Sequence, residues 1–406
     1  MTPTCRGRPL LLAWLVALQL ATPPAAHADG SQAVVARAPD APRVLATMRG
    51  PTFFVLGVWV APPQEMEKWR ARGVNTIVGV GEGVDDAVHH ERAKELGLAQ
   101  IRAPRPSHLL EDLADPTVIA FATGDEPTNF VDGAPRESPD DVLAEQAPWR
   151  DAAASLQMQK PIFTNHVGNH IWHENSRIGL KLGDYHARAD WLGADTYQIA
   201  DGRPNVLVQD GFASTYQGHI LNHQRLMAPG APLMSFVQSV AFEPGRPVPT
   251  PGELKTQIWS SVVNGASMLC VFSVRLPPDF AWDGTPEPLA QTITEAFHEI
   301  SRLEDILIDP AIGGARDGEI WRAAPPGSAA GARQLPWPFE ARRIPYRGRV
   351  FRIVVNLSED PAYLAHAEWD AAATLFAGHE VRYGFERAGE ELPRVADEPE
   401  PPSGGS

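Results

Sequence analysis

Cysteine is nearly absent from this chain of 406 residues: only Cys5 and Cys270 occur. Cys5 falls in an N-terminal segment that reads as removable, so no internal disulfide can staple the mature chain, and stability must come from core burial. Cys270, within "ASMLCVFSV", reads as a small buried hydrophobe. Beyond the N-terminus no apolar run approaches the ~20 residues that cross a bilayer, which excludes later membrane spans. An excess of basic residues is also missing. Lys and Arg number 35 against 50 Asp and Glu, a formal charge of −15, spread without long acidic runs. Such a surface repels nucleic acid and anionic membranes and suits neutral ligands. Finally, no G-x-G-x-x-G follows an early strand, so the doubly wound dinucleotide-binding fold lacks its fingerprint.

What is present begins with Arg6 and Arg8, the apolar run "PLLLAWLVALQLA" and small residues at Ala26 and Ala28. Together they read as a secretory signal peptide over residues 1–28, placing the mature protein in a secreted or periplasmic location. Residues 29–50, rich in Ala, Pro and Arg, read as a loose leader. Residues 391–406, ending "DEPEPPSGGS", are acidic and proline-rich and are expected to be disordered.

Between these ends, short β-branched runs alternate with amphipathic stretches, the rhythm of βα units around a parallel sheet. Strands are expected at 53–60, 75–81, 99–103, 117–123, 161–167, 189–197, 232–239 and 266–274. Helices are expected at 63–72, 85–96, 107–113, 139–159, 216–227, 251–264 and 288–307; only the segment between the fifth and sixth strands lacks one. Thr250-Pro251 with Glu253, and Ser138-Pro139 with Asp141, carry the spacing of helix-capping boxes. Eight alternations in about 250 residues point to a (β/α)8 TIM barrel over residues 51–310. From 311 to 390, "GEIWRAA", "RVFRIVVNLS" and "HEVRYGFER" alternate apolar and polar residues between turns. They predict a small antiparallel β domain, sandwich-like, after the barrel.

In such a barrel, ligands meet the C-terminal ends of the strands. The residues there are Trp59, Glu82, Asp125, Glu126, Asn165, His166, Asp195, Tyr197, Gln238 and Arg275. Carboxylates, amides and aromatic faces around one concave mouth suit a sugar ring, and a carboxyl kept protonated by burial and a neighbouring charge suits glycosidic cleavage. "NHVGNHIWHEN" places His166, His170 and His173 at i, i+4 and i+7, a metal-ligand spacing if helical. Gly168 and Asn169 oppose that helix, leaving a polar binding loop as the preferred reading and a metal-dependent hydrolase as a rival.

The stretch "DPTVIAFATGDEP" resembles the fourth-strand motif of secreted (β/α)8 glycoside hydrolases and hydrolase-like proteins of a "DEP" type, related to the large retaining clan. "PLMSFVQS" followed by "GRPVPTPGELKTQIWSSVVNGASMLCVFSV" is similar to the seventh and eighth strands of the same group. The resemblance implies that Glu126 is the general acid/base, that Asp125 binds near the sugar 2-hydroxyl, and that no cofactor is required. It departs from the retaining pattern at strand seven, where Gln238 replaces the nucleophilic Glu; Asp195, Glu243 or Glu82 then compete for the second carboxylate. The barrel hydrolases that hold metals usually open strand one with His-x-His, which "LGVWV" lacks. A carbohydrate substrate is therefore expected, with a non-catalytic carbohydrate-binding protein as the alternative.

Overall fold

The structure is a computed structural model that describes residues 45–131, 134–168, 171, 182–366 and 369–386. The proposed signal peptide, His170, His173 and the acidic tail lie outside these residues. Extended apolar segments must find partners for their backbone N–H and C=O groups, and eight of them close on one another. Strands β1 (Val55–Trp59), β2 (Thr76–Val78), β3 (Ala99–Arg102), β4 (Val118–Ala122), β5 (Ile162–Val167), β6 (Trp191–Asp195), β7 (Leu233–Gln238) and β8 (Met268–Phe272) form one closed barrel. Neighbours in the barrel are consecutive in the chain and parallel, β8 pairing with β1. This is the expected (β/α)8 architecture.

The helices between them are α1 (Met66–Ala71), α2 (Asp86–Glu95), α3 (Leu109–Ala114), α4 (Pro139–Ser155), α5 (Leu182–His186), α6 (Tyr216–Met227), α7 (Pro251–Val263) and α8 (Glu287–Arg302). Helix α5 occupies the position where the sequence showed no convincing helical pattern. Both capping boxes form: Ser138 and Thr250 accept from the backbone N–H three residues on, and Asp141 and Glu253 reach back.

Side chains alternate in and out along each strand. Inward ones such as Val55, Ile101, Phe163, Trp191, Met234 and Cys270 make a single buried cluster, so the barrel is filled and a ligand must sit above it. The end of the leader is not loose: Ala46–Thr47 and Gly50–Pro51 pair as a short ladder, and Leu45 and Ala46 pack against that interior cluster.

After the barrel come β9 (Glu319–Ala323), β10 (Phe339–Tyr346), β11 (Arg349–Asn356) and β12 (Val381–Phe385). They share a seven-stranded sheet with Gln334–Leu335 and with the hairpin Val206–Gln209/Phe212–Thr215, which the barrel contributes from between β6 and α6. One face of the sheet buries Ile344, Phe351 and Ile353 against Ile258, Trp259 and Val262 of α7. The other packs Trp321, Phe339 and Val354 against Leu364 and Phe376 of a second, two-stranded sheet. Two sheets face to face justify the sandwich-like description. In the joint, Glu340 is fully buried, accepting from Ser214 at 2.8 Å and Asn264 at 3.3 Å.

Because α7 carries both the barrel and the β domain, its cap bears on the stability of each. Thr250→Ala is expected to lower unfolding stability by ~1 kcal/mol, and Thr250→Ser to leave it nearly unchanged. Urea denaturation of the full chain measures both; an equal loss in the two variants would assign the effect to something other than the cap.

Candidate active site

Strand alternation decides which candidates reach the mouth. On β5, Phe163 and Asn165 face inward and His166 outward. Asn165 is buried, and its amide nitrogen donates to Asp125 Oδ1 at 3.0 Å and to Asp195 Oδ1 at 2.8 Å. Gly193, the inward residue of β6 one layer below Asp195, makes room for this. A Cβ there would lie 2.6 Å from the Phe163 ring and 3.0 Å from Asn165 Oδ1.

Asp195 closes β6 and Asp125 follows β4, so one amide gathers carboxylates from opposite flanks of β5. Two bonds to a single nitrogen keep the nearest oxygens of Asp125 and Asp195 below the ~6.5 Å at which inverting geometry begins. Glu126 completes the group: its carboxyl shares a hydrogen bond with Asp195 that raises the Asp195 carboxyl, and Asn129 donates to Glu126 Oε2 at 2.8 Å. Glu126 has φ 50°, a left-handed backbone that is uncommon and strained for a side-chain-bearing residue. The turn that holds it there runs from Glu126 O to Asn129 N, 2.9 Å.

Carboxyls so close together in a buried mouth disfavour one another's charge. Burial, then the charges of Asp125 and Glu126 and the bond to Glu126, hold Asp195 well above the usual carboxylate range, against the opposing pull of Asn165. Burial also pushes Asp125 up to about 6, opposed by Asn165 and aided by Glu126. Residue 125 lies at an exposed part of the rim, but its bond to Asn165 shows that the carboxylate itself turns into the mouth.

Tyr197 stands beside the group, its phenol held well above its normal range by burial and by the Asp195 charge. Phe242 and Phe272 flank its ring at 4.7 and 5.1 Å. The Tyr197 hydroxyl and Asn165 Oδ1 are buried without a hydrogen-bond partner among the described residues. Trp59 packs edge-on against Phe236 at 5.6 Å, at the inner wall of the mouth.

Other expected site residues are placed elsewhere. Gln238 is buried, and its amide is spent on backbone: it accepts from Ala200 N at 3.1 Å and donates to Val240 O at 2.9 Å and Pro247 O at 3.0 Å. It braces loops instead of offering a free amide to substrate. His166 is likewise not a mouth residue, because its outward register packs it against Tyr185 and His186, ring centroids 6.3 and 5.0 Å away. Glu243 is exposed, with its carboxylate 3.6 Å from Arg246. No described hydrogen bond or ion pair links it to Asp195 or Glu126. Glu82 is exposed after β2. Arg275 is half-buried and donates to Gly284 O at 3.4 Å, bracing the loop after β8.

Sequence reasoning passed over Asn129 and Arg136. Arg136 donates to the Asp125 carbonyl at 2.6 Å, a cation at the edge of the acidic group. Asn129 lies in "DEPTNF", where nothing tells which side chain folds back onto Glu126, and Arg136 lies seven residues further along the chain.

No protein-family model and no curated protein matches the chain. Among solved structures it is similar to a beta-galactosidase from the psychrophilic Marinomonas ef1, at 13% identity and TM-score 0.41, covering 63% of this chain and 61% of that one. It is also similar to an alpha-amylase from Lactobacillus plantarum, at 10% identity and TM-score 0.49, covering 84% and 99%. AmyP in complex with maltose follows at 10% identity and TM-score 0.45, covering 80% and 88%. The chain thus spans less than two thirds of the beta-galactosidase, and with all three TM-scores below 0.5 the chemistry is read from the site alone.

Asp125 and Asp195 bind their protons more tightly folded than unfolded. Their contribution to stability is therefore complete below about pH 4 and is lost as pH rises through about 6 and beyond. Asp195→Asn keeps an acceptor for Asn165 and removes a group that must take up a proton on folding, so its Tm should exceed wild type by at least about 2 °C at pH 7.5. The gap should close toward pH 4. A gap independent of pH, measured by thermal unfolding across this range, would contradict the assignment.

Proposed function

We propose that this protein is a glycosidase that cleaves a glycosidic bond in an oligo- or polysaccharide at the C-terminal mouth of its barrel. The observation that carries the reading is the group formed by Asp125, Glu126 and Asp195 around Asn165, with two buried polar atoms beside it awaiting partners. Sugar hydroxyls both donate and accept, so a single ring can satisfy the Tyr197 hydroxyl, Asn165 Oδ1 and the Asp125 carboxylate together. Trp59 and the aromatic ring of Tyr197 offer apolar faces at the same mouth.

Glycosidic cleavage needs a proton on the leaving oxygen at a pH where ordinary carboxylates have lost theirs. In this reading Asp195, held well above the usual carboxylate range, supplies one through its hydrogen bond to Glu126. On the same reading Glu126 delivers the proton to the leaving oxygen and Asp195 restores it; water adds to the anomeric carbon as the glycosidic C–O bond breaks, its proton returns to the carboxyl group, and Asp125 and Asn165 orient the ring. Gln238 takes no part as a nucleophile: an amide with all its bonds to backbone has neither charge nor freedom to attack.

A panel of aryl glycosides and polysaccharides tests the proposal. Glu126→Gln and Asp195→Asn should each lower kcat/KM by roughly 10²–10⁴-fold, the scale of general acid catalysis. Glu126→Asp should keep part of the activity, and Glu243→Gln should match wild type. Absence of turnover on every substrate, together with glycan binding that survives Glu126→Gln, would replace the enzyme with the carbohydrate-binding alternative.

A further inference from the structure

At the opposite end of the barrel, where β7 and β8 begin and residues 312–320 lead into the β domain, lies a cavity of about 560 Å³. Four arginines line it, Arg49, Arg225, Arg316 and Arg342, against a single acid, Asp317. In a chain of net charge −15, so local a surplus of cations calls for a reason. Arg316 is accounted for by Asp309, 3.3 Å away. No carboxylate forms an ion pair with Arg225 or Arg342 among the described residues; Asp317 acts on Arg342 only from a distance, and is exposed.

These two guanidinium groups lie close together. A Cβ on Gly265 would be 2.7 Å from Arg225 Nη2 and 3.9 Å from Arg342 Nη2. Burial, and for Arg342 the charge of Arg225, pull each down to about 10, so both stay cationic at neutral pH. Part of their hydrogen bonding is structural. Arg225 donates to Asn264 O and Arg342 to Val262 O at 2.9 Å, capping the C-terminal end of α7, and Arg342 also donates to Arg316 O. Capping uses only some of the five N–H groups on each guanidinium. Among the described residues Arg342 Nε is buried with no partner, and so is the hydroxyl of Ser267, a fully buried residue that also lines the cavity. Placing like charges side by side with unspent donors is unfavourable unless an anion joins them.

We propose that this cavity binds a tetrahedral oxyanion, a phosphate group either free or as a monoester, between Arg225, Arg342 and Ser267, with Arg49 at its rim. The site lies on the face away from the carboxyl group, so its occupant is a ligand of the seam between barrel and β domain, independent of the reaction.

Thermal unfolding of the full chain in inorganic phosphate, against sodium chloride at matched ionic strength, tests this. A saturable rise in Tm with phosphate alone is expected. Calorimetric phosphate affinity should fall roughly tenfold or more in Arg225→Gln, the loss of one charged hydrogen bond, and measurably in Ser267→Ala, which removes no structural bond. A hexose 6-phosphate binding more tightly than phosphate would support a monoester, and equal or weaker binding the free anion. A phosphate shift no larger than that of chloride, or affinity unchanged in both folded variants, would overturn the site.

Discussion

Around one buried amide nitrogen, Asn165 collects carboxylates that would repel one another if fully charged. In a poorly solvated mouth retaining a proton relieves that repulsion, and we place it on Asp195, whose carboxyl is held well above the usual range by burial and by its neighbours' charges. The rest of the site follows from this constraint. Glu126 takes the hydrogen bond from that proton, Asn129 and a strained left-handed turn hold Glu126 in reach, and Tyr197 is kept neutral beside the accumulated charge.

The barrel provides the rigidity that this requires. Its interior is filled, so the carboxyls rest on a floor of Cys270, Phe236 and Trp191 and not over water. Gly193 leaves space for Asn165, and Gln238 ties the loops after β6 and β7 together from below. At the far end the short ladder from Ala46 to Pro51 closes the barrel floor, and the β domain is fastened to α7 by apolar packing and the buried Glu340. The mouth is left as the open face, with the Tyr197 hydroxyl and Asn165 Oδ1 unpartnered among the described residues.

The fold was legible because periodicity carries it. Apolar runs such as 53–60 and 266–274 could only be buried strands, and the Thr250 and Ser138 boxes marked helix starts that the structure reproduces. The hairpin at 206–215 was missed although Asp210-Gly211 is a strong turn signal with both residues at positive φ. Its strands serve the C-terminal sheet, a partnership between segments a hundred residues apart that local pattern does not encode. The site was legible in part. Strand ends supplied Asp125, Glu126, Asn165 and Asp195, but a one-residue difference in register separates Asn165 in the mouth from His166 in the helix layer. Whether Gln238 faces a ligand or a carbonyl, and where Glu243 points, depends on loop paths that single residues do not reveal.

The central claim is that Asp195 keeps its carboxyl proton at neutral pH. Infrared difference spectroscopy between wild type and Asp195→Asn at pH 7 reads this directly, since the variant leaves the other raised carboxyls, Asp125 and Glu340 among them, in place. The account predicts a protonated-carboxyl C=O band present in wild type and missing from the variant. Identical bands in the two proteins would contradict it.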